Sequence, residues 1–223
     1  MKSDIFFEVC KEIYWQENNE EAKTCEDFNL FSILNKERDE THTHSPLIYE
    51  LLSPQGRHHQ KDRFLALFFE KVLDKRYSEY KVTRITREDS FIINDERRRA
   101  DFMISGIKQN GEKFCFPIEM KIDAGEQSDQ IERYYNKARE KVGAGGEANV
   151  YFLTLDGREA TTAGSTAQYT PISFEEHIYN WLVACIETSR EIPHLFYTIN
   201  QYFYLIKKIT GRADKKIMNI QAL

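Results

Sequence analysis

Two apolar runs, RRADFMISGI (98–107) and KFCFPIEMKI (113–122), stand on either side of Asn110-Gly111. Asn-Gly between strand-forming runs is a strong short-range hairpin signal, because both residues tolerate the positive φ of a tight turn. The spacing therefore predicts two antiparallel strands. A third run, KVTRITRE (81–88), precedes them and connects through Asn94-Asp95, which makes the hairpin part of a three-strand meander. Side chains alternate across a strand, so Ile118 and Met120 take one face while Glu119 and Lys121 share the other. Asp101 also interrupts an apolar run, between Ala100 and Phe102. Pairing through the Asn-Gly turn brings Asp101 close to Glu119.

The rest of the chain supplies layers for such a sheet. A helix is expected over 126–141, with Ile131, Tyr134, Tyr135 and Ala138 at helical spacing and Val142 continuing it. GAGGEAN ends it, the GAGG being read as a helix C-terminal turn rather than a phosphate loop. NVYFLTLD (149–156) then reads as a buried strand. Strand, crossover helix and strand make a βαβ-type unit, so this last strand should pair parallel to an earlier one. Ser173 and Glu176 form a capping box for a helix through Ile186, and a final helix is expected from His194 to Thr210, with YFYLI (202–206) in its core face. Upstream, residues 4–35 read as helical with a polar interruption at QENNEEAKT. Ser45-Pro46 reads as an N-cap and first helical residue, SPQGRH as a turn, and FLALFFEKVL (64–73) as an apolar helix. The fold class is α/β bordering on α+β: a mixed central sheet with an antiparallel meander, a crossover helix and a parallel strand, flanked by helices. One domain over 1–223, with helical additions at both ends, is the economical organisation.

Net charge −5 argues against strong constitutive nucleic-acid binding through bulk charge, since phosphate contacts need Lys and Arg. Basic residues nevertheless concentrate at Arg97-Arg98-Arg99 and at Lys207, Lys208, Arg212, Lys215 and Lys216, runs that a solvated surface also explains. Cys10, Cys25, Cys115 and Cys185 are scattered singly, which fits a reducing cytoplasm better than a disulfide framework or zinc ribbon. No apolar run suggests a signal peptide or membrane span.

Two carboxylates sharing a site repel unless a cation neutralises them. Oxygen ligands of this kind suit Mg²⁺, with Mn²⁺ able to substitute, and a nearby lysine stabilises charge on a phosphoryl transition state. A Glu-x-Lys pair on an exposed sheet edge gives the same three letters, and nothing in the triplet alone separates the two. His42, His44, His58 and His59 do not make a convincing metal site, because the THTH spacing does not put both histidines on one helix face. His44 and His58 read as braces for a loop, and Glu88 as a surface or supporting residue.

The order strand-Asp, hairpin, strand-Glu-x-Lys, then a helix with Gln127 and Gln130 resembles the PD-(D/E)XK nuclease superfamily, which has the restriction-endonuclease-like fold. More narrowly it resembles a bacterial branch of it. The stretches that carry the resemblance are FNLFSILNKERDETHTHSPLIYELLSPQGRHH, RRRADFMI, PIEMKIDAGEQSDQIERYY, and YFLTLDG followed by ISFEEHIYNWL, spanning 27–183. The resemblance implies that Asp101 and Glu119 are metal ligands and Lys121 the catalytic lysine. It implies that Glu40 completes or supports the metal site. Gln127 and Gln130 would form a Q-x-x-Q-like element reaching back over it, with Tyr134 one turn further on. The implied activity is Mg²⁺-dependent hydrolysis of phosphodiester bonds, of DNA in preference to RNA, in bacterial defence or mobile-element conflict. The implied partner is nucleic acid, with a homodimer and an activating protein left open. Three departures stand out. Ala100 replaces the proline expected before the first acidic residue, His59 stands where relatives commonly have glycine, and Pro117 removes a donor from a central strand. The rival readings are a non-catalytic nucleic-acid-binding or regulatory module, and an interaction protein whose Glu-x-Lys is a surface pair.

Overall fold

The computed structural model describes residues 28–93, 96–164 and 166–212, the side chains of 88–99 excepted. The helix expected from residue 4 as far as residue 27, Cys10, Cys25, the Asn94-Asp95 turn, Lys215 and Lys216 lie outside the described residues, as do the side chains of Glu88 and Arg97-Arg98-Arg99. Among the described residues no helix is long and apolar enough to cross a membrane.

The meander forms as its turn chemistry dictates. β1 (Tyr80–Ile93), β2 (Glu96–Lys108) and β3 (Lys113–Lys121) pair antiparallel in succession. Gly111, at φ 87°, closes the second turn with its N–H on the Lys108 carbonyl at 2.9 Å. Where β1 bulges between Val82 and Arg84, β2 crosses it with Gly106, whose place a Cβ would bring to 2.1 Å from the Lys81 carbonyl oxygen. No other residue fits that crossing.

Beyond β3 the chain crosses through helix α4 (Gln130–Val142) and returns as β4 (Glu147–Ala148) and β5 (Val150–Thr154), both parallel to β3. The GAGG segment is the expected helix stop: Gly143, at φ 76°, caps α4, and the Arg139 guanidinium binds the Gly143, Ala144 and Gly146 carbonyls. A further strand, β6 (Tyr169–Ser173), runs parallel to β5 and makes the sheet six-stranded. Sequence reasoning misses β6 because YTPIS is short, half-exposed and contains Pro171, which is tolerable only on an edge strand. The other proline, Pro117, is accommodated differently. β4 pairs with β3 through Cys115 and β5 pairs from Ile118 onward, so Pro117 falls at the break between them. The Met120 amide faces β2, and amides alternate, so the donor that Pro117 lacks would have faced that break.

The two faces of β3 meet different layers. Phe114, Phe116, Ile118 and Met120 join the main core, packed with helices α2 (Ser45–Leu52), α3 (Arg63–Lys71), α5 (Tyr179–Thr188) and α6 (Pro193–Ile209). Each large side chain fully buried there contributes about 1.5–3 kcal/mol. Trp181 also satisfies its indole N–H on the Phe64 carbonyl at 2.9 Å. Tyr202, Leu205 and Ile206 lie in this core, as the YFYLI stretch predicts. The opposite face packs Cys115 against Ala138 of α4. Cys115 and Cys185 are buried free thiols.

Two helix starts differ from expectation. Ser45 is not an N-cap: a π-helical turn, Glu40–His44, runs straight into α2, and Asp39 caps the whole by accepting from the His42 N–H at 2.9 Å. Ser173 does cap its helix, through a π-helical turn (Phe174–Ile178), accepting from the Glu176 N–H at 3.1 Å. Helix α4 begins at Gln130 rather than at 126, because Asp129 sits in the left-handed region at φ 55° and cannot belong to a right-handed helix. Glu126 is instead drawn to the 158–162 segment, pairing with Arg158 and accepting from the Thr161 and Thr162 amides at 2.7 and 3.1 Å.

Candidate active site

β2 and β3 pair in register as far as Phe102 opposite Ile118. One step further stand Asp101 and Glu119, where a side chain takes over from the backbone ladder: the Met120 N–H donates to Asp101 Oδ2 at 2.8 Å. Glu119 is 3% exposed. Its Oε1 accepts from Gln130 Nε2 at 2.6 Å and from Lys121 Nζ at 2.7 Å. Its Oε2 is buried with no hydrogen-bond partner. Gln130 also donates to the Tyr134 hydroxyl at 3.0 Å, one helical turn on, so the first turn of α4 fixes the amide that holds Glu119.

Burial pushes the Glu119 carboxyl up to about 8, the neighbouring Asp101 charge adds to the shift, and Lys121 offsets only part of it. Burial works against the Lys121 charge too, but Glu119, Asp101 and Glu40 outweigh it and hold the ammonium above its ordinary range. Burial likewise raises the Tyr134 phenol, which stays protonated. The result is a charged lysine beside a carboxyl reluctant to ionise.

Glu40 works from a different element. Its Oε1 accepts from the amides of Ile122, Asp123 and Ala124 at 2.6, 3.0 and 3.3 Å, which ties the turn after Lys121 to the π-helical segment. Arg38 clamps the same turn with two bonds to Asp123, Nε to Oδ2 at 2.7 Å and Nη2 to Oδ1 at 2.5 Å. Arg38 and Asp123 are 85 positions apart, and no local pattern marks either. Gln127 does not share the helix with Gln130: it lies exposed on the connector before α4, its carbonyl accepting from Thr162 Oγ1 at 2.9 Å. Asp101, Glu119, Lys121, Gln130 and Tyr134 therefore come together, Glu40 supports them from outside, and Gln127 stands apart from the helix face.

A family model described as the PD-(D/E)XK nuclease superfamily matches residues 28–203. The chain belongs to this superfamily. No curated protein and no solved structure matches it.

PD-(D/E)XK nucleases generally use divalent metal ions, and the donor chemistry here fits one. Glu119 Oε2 is a buried oxygen without a partner, and it belongs to a carboxylate pair that the single Lys121 charge does not neutralise. Mg²⁺ commonly takes one or two carboxylates and keeps several waters, so two protein carboxylates suffice. Among the described residues no group of three or more His, Cys, Asp or Glu side chains could hold a metal ion.

The histidines serve the scaffold. His44 is fully buried, donating Nε2–H to the Glu37 carbonyl at 2.8 Å and accepting from the Tyr202 hydroxyl at 2.9 Å. His58 donates to the Ser53 carbonyl and accepts from the Gln60 amide, both at 2.9 Å. His59 is exposed at φ 56°, a left-handed position where glycine costs least. His42, His58 and His59 line a mainly apolar cleft of about 740 Å³ against α2 and α6, which none of the site carboxylates lines.

Proposed function

We propose that this PD-(D/E)XK protein is a metal-dependent nuclease that hydrolyses phosphodiester bonds, with Asp101 and Glu119 holding Mg²⁺ or Mn²⁺ and Lys121 acting on the phosphate. The observation that carries the proposal is Glu119: a buried carboxylate beside Asp101, one oxygen held by Gln130 and Lys121, the other open. A surface Glu-Lys pair would be solvated and would need neither the second carboxylate nor the glutamine.

Each side chain has a task. Bound between the carboxylates, a divalent ion supplies a water of lowered pKa and positive charge for the phosphoryl oxygens. Gln130 occupies Glu119 Oε1 and keeps Oε2 available. The Met120 amide, by binding Asp101 Oδ2, holds the first carboxylate toward β3. Lys121 keeps its proton and donates to a non-bridging phosphate oxygen as negative charge accumulates there. Glu40 supports the site by fixing the turn that follows Lys121, and Gln127 faces the substrate from the connector. Water oxygen bonds to phosphorus, the phosphorus–oxygen bond to the leaving group breaks, and the proton lost by the water ends on the solvent. DNA is favoured over RNA on superfamily grounds, and a place in bacterial defence or mobile-element conflict suits such an activity.

Asp101→Ala, Glu119→Ala and Lys121→Ala are each expected to lower cleavage of plasmid and oligonucleotide substrates by at least ~10²-fold with Mg²⁺ or Mn²⁺ present, while circular dichroism shows a folded chain. Wild-type turnover in any one of them would remove that residue from the catalytic set.

A further inference from the structure

Next to the catalytic lysine lies a second hollow that the nuclease chemistry leaves unused. It is an open crevice of about 370 Å³ at the carboxyl ends of β3 and β5, lined by Lys121, Leu155, Asp156, Glu175, Ile209 and Thr210 among others. Ligands of sheets with parallel strands characteristically sit outside the carboxyl ends of those strands, and small-molecule sites start at about 300 Å³. The walls are built rather than accidental. The β5 end is fixed by Thr154 Oγ1, which donates to Asp156 Oδ1 at 3.3 Å and accepts from the Gly157 N–H at 2.9 Å. The Glu175 N–H binds the Leu155 carbonyl at 3.0 Å and sets the π-helical turn against that end. Ile209 and Thr210 close the far side from the end of α6.

The chemistry of the lining is specific. Leu155 and Ile209 give it apolar surface of the kind that packs on the face of a ring. Asp156 and Glu175 are hydrogen-bond acceptors and repel anions. Lys121, at the edge shared with Asp101 and Glu119, is where a phosphate belongs. A phosphate at one edge, an apolar slot and carboxylate acceptors within describe one nucleotide of the substrate. Carboxylates accept from exocyclic amino groups, as they do from the cytosine amine, and thymine has none to offer. A base can enter a slot only when it has left its stack, in a single strand or by flipping.

We infer that this crevice receives the unstacked nucleotide flanking the scissile phosphate and selects bases that carry an amino group. The inference rests on the nuclease reading of Asp101, Glu119 and Lys121 and deepens it to a substrate class: nucleic acid with an unpaired nucleotide at the cut.

The test compares three substrates with Mn²⁺ present: bis(p-nitrophenyl) phosphate, which has no base, and short single-stranded oligonucleotides of cytosine or of thymine. Wild type is expected to cleave the cytosine oligomer at least tenfold faster than the thymine oligomer in kcat/KM, and faster than a fully paired duplex of the same strand. Thr210→Trp, which fills the slot from a half-exposed helix end, should depress oligonucleotide cleavage at least tenfold more than hydrolysis of the small diester. Glu175→Gln, which keeps the shape but adds a donor, should narrow the cytosine preference. Equal rates on both oligomers, or a Thr210→Trp loss that is the same on all substrates, would overturn the inference and leave the nuclease reading standing. A wild type inactive on every substrate, the small diester included, would overturn both.

Discussion

Gln130 Nε2 and Lys121 Nζ converge on one oxygen of Glu119 and leave the other buried and unpaired, and this asymmetry makes the local electrostatics testable. Glu119 is raised to about 8, first by burial and then by Asp101. A carboxyl raised on folding binds its proton more tightly in the folded chain, so its contribution is fully present below its unfolded pKa and is lost as pH rises through about 8. The metal-free protein should therefore melt progressively lower between pH 6 and pH 9, each ~1 kcal/mol moving Tm by about 2–4 °C at this size. Asp101→Asn keeps an acceptor for the Met120 amide but removes the charge. Its melting temperature should fall less over the same interval and exceed that of wild type at pH 9. Parallel curves for the two proteins in EDTA would mean that Asp101 and Glu119 do not feel one another. At this scale the sequence was most legible where charge broke an apolar pattern, as at Asp101, Glu119 and Lys121. It was silent on contacts made through backbone amides, such as Met120 to Asp101, because every residue carries the same amide.

Elements position the site through two loops that local signals describe poorly. The turn 122–124 owes its shape to Glu40, whose single oxygen collects three amides. Hydrogen bonds to a charged group contribute about 1.5–3 kcal/mol. Glu40→Ala should cost on the order of 2 kcal/mol in urea unfolding and lower activity, while Glu40→Gln recovers most of the stability. Full activity with full stability in Glu40→Ala would deny it any supporting role. His59 offers the opposite case: a left-handed, exposed histidine stores strain that glycine would relieve. His59→Gly is expected to leave stability unchanged or raise it by up to ~1 kcal/mol despite the entropy glycine adds to the unfolded chain; a clear loss would show that the histidine ring makes a contact that matters. Helix α4 shows why boundaries were harder to read than elements. Its apolar spacing was legible, but the left-handed Asp129 that delays its start, and thereby separates Gln127 from Gln130, follows from Glu126 being held by a loop more than thirty residues away.

Across the whole molecule, the meander, the crossover and the parallel β5 followed from turn residues and apolar periodicity, whereas β6 was hidden by its proline and its half-exposed edge position. The sheet delivers Asp101 and Glu119 from adjacent strands, α4 delivers Gln130 and Tyr134, and the π-helical turn before α2 delivers Glu40 to the segment after Lys121. Those three sources converge although the chain carries a net charge of −5, which makes a cation between the carboxylates the natural completion of the site. The measurement closest to that claim is anomalous scattering from crystals of the wild-type protein soaked in Mn²⁺. The account predicts a single strong peak within coordination distance of both Asp101 and Glu119, absent from Asp101→Asn crystals soaked in the same way. A wild-type map with no peak there, and Lys121 still paired to Glu119 at saturating Mn²⁺, would contradict it.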